Sequence, residues 1–580
     1  LKRTLADIGI SGLLAAAAVA MGFDILLPTK LTALVVSATM LVVVMWLARD
    51  AFARLRHGRG LGQLVRLEVG LLLTCFGLAA VRGTIALRAL ERSLTAAEGE
   101  AARLYDALFL GLAMLSGVGL MKSPVFARWL LRLGERPPLL LASSFAVMIL
   151  VATLLLCLPL SVERFEDIRP LDALFTATSA VCVTGLSVND IATTYTGFGQ
   201  TVILLAIQFG GIGIMTIAAV AVALRSDTSL GAQAQYASLF EAGSLGELRG
   251  QVYTITTTTL AIEALGALAL WFLWKDDPAF AEHSVAWLAV FHSVSAFCNA
   301  GFALFPGNLA RFTSDGATQL VIMALIVTGG IGFPVYHGLL RRAKLRMHAW
   351  RERTNYDAAR TDLGTQTVAR TTALLIGGGA LGFFALECVG AFAGLDWSER
   401  VLAALFASVT TRTAGFNTLD FASFSETTLL LTLALMFVGG SPGSTAGGIK
   451  TTTAAVLFAS FRAELRGQQP TLARRAISAK SIQRASAVTA ISLALVASMV
   501  ALLTMIERHS FVELLFETVS AFGTVGLSLG ITSELTSWGR VAIILTMFIG
   551  RIGPMGVALA VGDSRERRRY TLPENDVQIW

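Results

Sequence analysis

Four short stretches of this sequence combine small hydroxylated residues with a terminal glycine, a composition suited to holding a cation by backbone oxygen atoms. They are Leu174–Leu186, Phe291–Phe302, Phe406–Phe416 and Phe516–Leu527. A phenylalanine in each (Phe175, Phe291, Phe406, Phe516) is followed after 10, 10, 9 and 10 residues by Gly185, Gly301, Gly415 and Gly526. These glycines recur at intervals of 116, 114 and 111 residues. A second echo follows each by 24 to 28 residues: Gly210-Gly211-Ile212-Gly213, Gly329-Gly330-Ile331-Gly332, Gly439-Gly440-Ser441-Pro442-Gly443 and Gly550-Arg551-Ile552-Gly553-Pro554. Glycine permits backbone conformations that a side chain hinders, and fixed carbonyl oxygens can replace the hydration shell of an ion. A short helix ending at the site adds its negative C-terminal dipole end. Four such stretches about one pseudo-fourfold axis therefore predict a ring of carbonyls, which is a cation selectivity filter. The alternative, four glycine kinks for helix packing, does not account for matching Phe, Ser/Thr and Gly offsets.

The elements that must position these stretches are membrane helices. Only 15% of the 580 residues are charged, against about 25% in soluble proteins. Apolar blocks such as 31–47 and 139–158 approach the ~20 residues that span a bilayer core. A soluble enzyme, a disordered scaffold and a secreted disulfide domain are all excluded on this ground. Twelve spans are expected, roughly 8–27, 31–48, 67–86, 104–121, 139–160, 199–222, 252–274, 317–340, 369–394, 427–457, 485–506 and 538–562. Basic residues crowd 49–66, 341–353, 462–484 and the tail (Arg565, Arg567, Arg568, Arg569), whereas the alternate loops carry Glu163, Glu166 and Asp167, then Asp276, Asp277 and Glu282, then Asp396 and Glu399. Both termini in the cytoplasm satisfy every one of these asymmetries. The same bias accounts for the net charge of +7 with no need for nucleic acid. Each glycine stretch reads as a half-length re-entrant helix and an extended segment between two spans. Such backbone is tolerated at membrane depth only when buried or lining a watery cavity. The expected architecture is an all-α membrane protein of four span–pore helix–span units around one pseudo-fourfold pore. The units are 139–224, 225–340, 341–457 and 458–562, preceded by four extra spans in 1–138 and followed by a cytoplasmic tail, 563–580.

Residues 139–562 resemble the Trk/Ktr/HKT superfamily of potassium transport proteins, above all the bacterial Ktr/Trk membrane subunit. The stretches that carry the likeness are Thr178–Leu186, Ser295–Leu304, Val409–Asn417, Ser520–Gly530 and the run Gly439–Thr453 (GGSPGSTAGGIKTTT). The resemblance implies a filter lined by one glycine from each unit, Gly185, Gly301, Gly415 and Gly526, where K⁺ binds. Leading into them are Cys182, Val183 and Thr184; Cys298, Asn299 and Ala300; Arg412, Thr413 and Ala414; and Gly523, Thr524 and Val525. Some plant members replace the first glycine by serine and prefer sodium, so four glycines favour K⁺ as the transported ion. The resemblance also implies a gate, an intramembrane loop under the filter that matches Gly439, Gly440, Ser441, Pro442, Gly443, Ser444, Thr445, Ala446, Gly447 and Gly448. Arg551 matches the arginine that faces this loop, and it is independently conspicuous as a charge placed mid-span by sequence. By the same resemblance the chain forms a homodimer in the cell membrane, and a separate RCK-type nucleotide-binding regulatory subunit docks on its cytoplasmic face. Two departures stand out: Cys182 and Cys298 replace the expected Thr and Asn, and the spans of 1–138 have no counterpart in Ktr-type proteins.

The remaining candidates have simpler readings. Glu263 and Glu387, expected mid-span, and His292 are read as buried anchors for neighbouring pore helices. Gly377-Gly378-Gly379-Ala380-Leu381-Gly382 matches a dinucleotide fingerprint in letters only, since it lies within a span with no strand before it, and it is read as helix packing. Ile449 separates glycine from lysine in the near-match to a phosphate loop at Gly443–Thr451, so no nucleotide is expected on this chain. The five cysteines and six histidines are dispersed and suggest neither zinc nor disulfides. No nucleophile–base constellation indicates an enzyme. The competing functions are a Na⁺-permeable or Na⁺/K⁺-coupled transporter of the same fold and a secondary carrier of an organic solute. The carrier predicts inverted repeats, whereas the repeats here are direct.

Overall fold

The structure, a computed structural model, describes residues 137–163, 169–213, 245–280, 284–332, 335–336, 338, 347, 363–473 and 475–553. The four expected N-terminal spans and the tail from 563 lie outside the described residues. Within them the regular secondary structure is helical except for a short hairpin, Thr471–Leu472 against Arg475–Ala476.

The helices fall into four consecutive groups, each opening on a helix of 20 to 30 residues followed by a short one. The first comprises α1 (Pro137–Leu156), α2 (Pro170–Cys182) and α3 (Gly197–Ile212). The second comprises α4 (Leu245–Trp274), α5 (Val285–Cys298) and α6 (Gly316–Ile331). In the third, α7 (Leu363–Glu387) and α8 (Trp397–Thr410) precede a last helix split into α9 (Glu426–Phe437) and α10 (Thr451–Glu464). The fourth comprises α11 (Ala479–Ile506), α12 (Phe511–Gly523) and α13 (Ser537–Ile552). The short helices α2, α5, α8 and α12 have 13 or 14 residues. At 1.5 Å per residue they reach about 20 Å, well short of a bilayer core. Tyr253–Trp274, Leu363–Glu387 and Ala479–Ile506 are long and apolar enough to cross one. Leu374, Leu381, Leu430, Phe458 and Met505 point outward with 67% to 85% of their surface exposed, as side chains facing lipid would.

α3, α6 and α13 each end at the last glycine of a second echo: Gly213, Gly332 and Gly553 have φ of +69°, +93° and +89°, a backbone conformation that a side chain hinders. Most of the remainder of the expected spans 199–222, 317–340 and 538–562 lies outside the described residues. The expected span 427–457 is broken between Phe437 and Thr451.

The groups interlock in a closed cycle. Each group's last helix leans on the next group's short helix: α3 on α5, α6 on α8, α9 on α12, and α13 back on α2. The phenylalanines that open the repeated stretches, Phe175, Phe291, Phe406 and Phe516, are completely or almost completely buried. Carboxylates tie the loops between helices. Glu387 lies at the last residue of α7, not mid-span, and there it accepts hydrogen bonds from Ser425 N (2.9 Å), Ser425 Oγ (2.8 Å) and Ala391 N (2.9 Å). It thus fastens the start of α9 and not a pore helix. Glu507, just beyond α11, does the same for α13 by accepting from Thr536 N (3.0 Å) and Oγ1 (2.6 Å). In the second group, Trp274 donates to Thr318 Oγ1 (3.0 Å) and stacks on Phe312, with Phe280, Phe305 and His292 around it.

The contact between last and first groups carries an ion pair. Arg540 of α13 meets Asp172 of α2, with side chains only 15% and 7% exposed, and also donates to Ser533 O (2.9 Å). Removing one partner of a buried pair costs about 3 kcal/mol or more, because the other charge is left without compensation. Asp172→Ala or Arg540→Ala should therefore lower the melting temperature of the detergent-solubilised protein by several degrees. The exchange Asp172→Arg with Arg540→Asp should recover most of the loss. Equal loss in single and double variants would exclude a pairwise clasp.

Candidate functional site

The ends of the four short helices and the glycines that follow them form one site. α2, α5 and α12 finish with the same turn. Val183 N donates to Ala180 O (3.1 Å) and Thr184 N to Ser179 O (2.8 Å). Asn299 N and Ala300 N repeat this on Ala296 O and Ser295 O, and Thr524 N and Val525 N on Ala521 O and Ser520 O. α8, one residue shorter in its Phe–Gly spacing, closes instead through Ala414 N on Thr410 O (3.0 Å). Two residues before each glycine the chain adopts the left-handed conformation with a side chain present: Val183 (φ +57°), Asn299 (+60°), Thr413 (+66°) and Thr524 (+49°). Non-glycine residues avoid this region unless the surroundings enforce it. Four enforced turns at one register position mark a shared backbone design.

Beyond these turns the four glycines form a ring of backbone contacts. Their φ values are +96°, +70°, +75° and +92° for Gly185, Gly301, Gly415 and Gly526. A Cβ on Gly185 would lie 2.5 Å from Ala300 O and 3.2 Å from Gly301 Cα. A Cβ on Gly301 would lie 2.8 Å from Ala414 O and 2.9 Å from Gly415 Cα. On Gly415 it would strike Val525 O and approach Gly526 Cα, and on Gly526 it would strike Thr184 O and approach Gly185 Cα. Each stretch thus rests on the next, and the fourth returns to the first.

Hydroxyls at the last turn of each short helix brace these strands. Ser179 Oγ accepts from Gly185 N (3.0 Å) and Ser520 Oγ from Gly526 N (3.1 Å). In the other two stretches the direction reverses: Ser295 Oγ donates to Phe302 O (2.8 Å) and Thr410 Oγ1 to Phe416 O (2.5 Å). A polar residue nine positions before the glycine fastens the returning chain in the second and fourth stretches. His292 Nε2 accepts from Leu304 N (3.2 Å), while Nδ1 lies 2.7 Å from Leu288 O. Glu517 accepts from Ser528 Oγ (2.8 Å) and Thr532 Oγ1 (2.6 Å). His292 is thus a buried anchor, but for the returning chain of its own stretch and not for a neighbouring pore helix. Glu517 and Glu507 were not singled out by sequence, although Glu517 shares with His292 the position nine residues before the ring glycine.

Two side chains of the expected filter, those of Cys298 and Arg412, reach back to neighbouring helices. Cys298 Sγ sits 3.8 Å from Gln208 Oε1 and from Glu263 Oε1, and Glu263 also accepts from Gln208 Nε2 (3.0 Å). Glu263 therefore anchors the end of α5, and its own carbonyl accepts from Ser293 Oγ (2.7 Å). Arg412 is 5% exposed and reaches back to Thr372 Oγ1 of α7 at 3.4 Å.

Against the helix-end side of the ring lies the segment between α9 and α10. Val438 pairs with Ile449 as a parallel bridge, with Gly439 N donating to Ile449 O (2.9 Å) and Thr451 N to Gly440 O (3.0 Å). Its two ends are thus clasped and its middle forms a closed loop. Ser441 N donates to Gly330 O (3.1 Å), and Thr445 Oγ1 lies 3.4 Å from Phe297 O at the end of α5. Gly447 lies directly against the Thr524 side chain, and Gly332 faces Pro442 O. Arg551, in the last turn of α13, donates to Thr445 O and to Gly210 O of α3, beside the Phe145 ring. Lys450, outside the sequence-expected gate, donates to Ala446 O (2.7 Å) and holds the loop from within. The loop and Arg551 together touch all four groups.

The second glycine echo has a packing role. A Cβ on Gly210, Gly329 or Gly550 would strike Val181 O, Phe297 O or Phe522 O, each four residues before its ring glycine. The fingerprint-like run in α7 is only partly a packing surface: Gly379 and Gly382 meet Ser408 and Leu431, but Gly377 and Gly378 have nothing within 4 Å. Gly210→Ala and Gly550→Ala should therefore each destabilise the protein by about 1–3 kcal/mol through overpacking, whereas Gly377→Ala should be neutral or slightly stabilising. Melting temperatures of the three purified variants test this, and equal shifts would contradict the close approach.

Residues 140–566 match the family model described as TrkH, cation transport protein. The chain is 38% identical over 445 residues to the Ktr system potassium uptake protein B of Bacillus subtilis, covering 76% of this chain and 96% of that protein. It is 36% identical over 454 residues to the potassium/sodium uptake protein NtpJ of Enterococcus hirae, covering 76% and 97%. The crystal structure of the potassium transporter TrkH from Vibrio parahaemolyticus superposes with a TM-score of 0.59 at 18% identity, over 85% of this chain and 97% of that one.

Proposed function

This chain belongs to the TrkH family of cation transport proteins, and from that premise we propose that it takes up potassium ions across the cell membrane through the ring of Gly185, Gly301, Gly415 and Gly526. The observation that carries the reading is the closed cycle in which each glycine rests on the backbone of the next stretch. Such a cycle holds carbonyl oxygens at fixed spacing, which is what replacing the hydration shell of a cation demands. The short helices direct the negative ends of their dipoles at the same place. The backbone of residues 182–185, 298–301, 412–415 and 523–526 forms the filter, and K⁺ is the ion held there.

The loop Gly439–Gly448 is the gate, with Arg551 as its latch. The support is its place against the helix-end side of the ring and the two carbonyls, Thr445 O and Gly210 O, that share one guanidinium. A fixed positive charge beneath a cation filter is also an electrostatic barrier, costly to bury unless it serves a pathway. Moving the loop would break the Arg551–Thr445 contact and open the route.

A second reading has one observation in its favour. A relative at 36% identity is named for both potassium and sodium, so Na⁺ passage or Na⁺ coupling is the competing function. Glycine at 185 argues for potassium, because a side chain there would push Ala300 O out of the ring. The assembly proposed is a homodimer with both termini in the cytoplasm, where a separate RCK-type nucleotide-binding subunit docks. The relatives named as parts of a Ktr system support such a partner. No catalytic role is proposed, in keeping with relatives named as transport proteins.

The purified chain in proteoliposomes should carry K⁺ in preference to Na⁺, and Gly185→Ser should abolish most of that preference. Equal K⁺ and Na⁺ flux in the unaltered chain would overturn the potassium reading. Arg551→Ala should raise K⁺ flux in the absence of any partner, by about tenfold if the latch contributes 1.4 kcal/mol. Unchanged flux, with unchanged response to an added regulatory subunit, would remove Arg551 from the gate.

A further inference from the structure

We infer that Asn308 is a positioning residue for ion selectivity, holding two of the four ring glycines through their carbonyls; the inference rests on the filter reading above. Asn308 lies in the turn after the second stretch, at φ +62°, following Gly307 at +71°. Its Nδ2 donates to Gly301 O at 3.2 Å and to Gly415 O at 3.5 Å. One side-chain amide therefore bridges glycines from two successive stretches. The turn itself is fixed from both sides. Asn308 N donates to Phe305 O (3.1 Å), Leu309 N to Asn417 O (3.1 Å) and Thr313 Oγ1 to Thr418 O (2.7 Å). The second group's loop is thus stitched to the chain just beyond Gly415.

The arrangement occurs once in the cycle. Seven residues after each ring glycine stand Ala192, Asn308, Ala422 and Ser533, so one of the four positions carries an amide. A carbonyl oxygen has two lone pairs. Where one accepts from Asn308, the negative field that the oxygen offers an ion falls and its orientation is fixed. Potassium is preferred over sodium by sites whose carbonyls are weaker in field and unable to close inward, and both accounts of filter selectivity lead to that outcome. Asn308 serves both requirements on one side of the ring. Without it, Gly301 O and Gly415 O are freer to draw in around the smaller ion.

The test measures the K⁺-to-Na⁺ flux ratio of the full chain in proteoliposomes. Asn308→Leu, similar in size but without the donor, should lower the ratio about tenfold while K⁺ flux itself persists. Asn308→Asp, nearly isosteric and able only to accept, should lower it at least as far, and it carries the test if the leucine variant fails to fold. A merely structural residue would reduce both fluxes together and leave the ratio unmoved. Gly185→Ser is measured alongside. If it shifts the ratio while both Asn308 variants stay within about twofold of the unaltered protein, the inference is wrong and the filter stands. If none of the three shifts it, the filter reading has failed and takes the inference with it.

Discussion

The structure turns on one steric fact: at four positions two stretches of backbone come so close that no Cβ fits between them. Gly185, Gly301, Gly415 and Gly526 each press on the next stretch, and the cycle closes. Everything around the ring meets a demand that this contact creates. The left-handed turns at Val183, Asn299, Thr413 and Thr524 redirect the chain within three residues of a helix end. Serine and threonine hydroxyls of the last helical turn bond the strands that follow, sparing buried polar groups the cost of having no partner. The second row of glycines lets long helices approach the carbonyl ends of the short ones. Those helices in turn press the neighbouring short helix inward. Tightness at the centre is thus inherited from packing at the periphery.

The four quarters solve the same problem with different atoms. Where the first and fourth use a serine to accept from a glycine N–H, the second and third use a hydroxyl to donate to a carbonyl. Where the second uses His292, the fourth uses Glu517. The third saves one residue and closes its turn through Thr410 and Ala414. What persists is the backbone path. The side chains that secure it vary within the limits of donor and acceptor geometry, as expected when each quarter lies in one chain and can change on its own.

How much of this was legible in the sequence follows from the same distinction. Backbone path leaves a strong signal, because only glycine and small residues allow it. The spacing from Phe175 to Gly185 and its three echoes therefore placed the short helices where they lie. Side-chain partnerships leave a weak one, because they join residues far apart in the chain. Nothing local marks Glu507 as the acceptor for Thr536, or Glu517 as the acceptor for Thr532. Hydropathy alone also reads 427–457 as one span, because apolar residues stand on both sides of the break, whereas the clasp at Val438 and Ile449 separates α9 from α10. Glu387 was expected mid-span because apolar residues flank it on both sides, yet the helix ends on it and its carboxylate holds the next loop.

The break between α9 and α10 has a consequence for assembly. A ring built from four identical chains must carry every feature in four copies, and four loops the size of 438–450 would compete for the one space beneath the glycines. A single chain with four unequal quarters escapes that rule. It can open one helix into a loop and set Lys450 and Arg551 against that loop. Covalent linkage of the quarters is therefore what makes room for one unmatched loop against an otherwise repetitive wall.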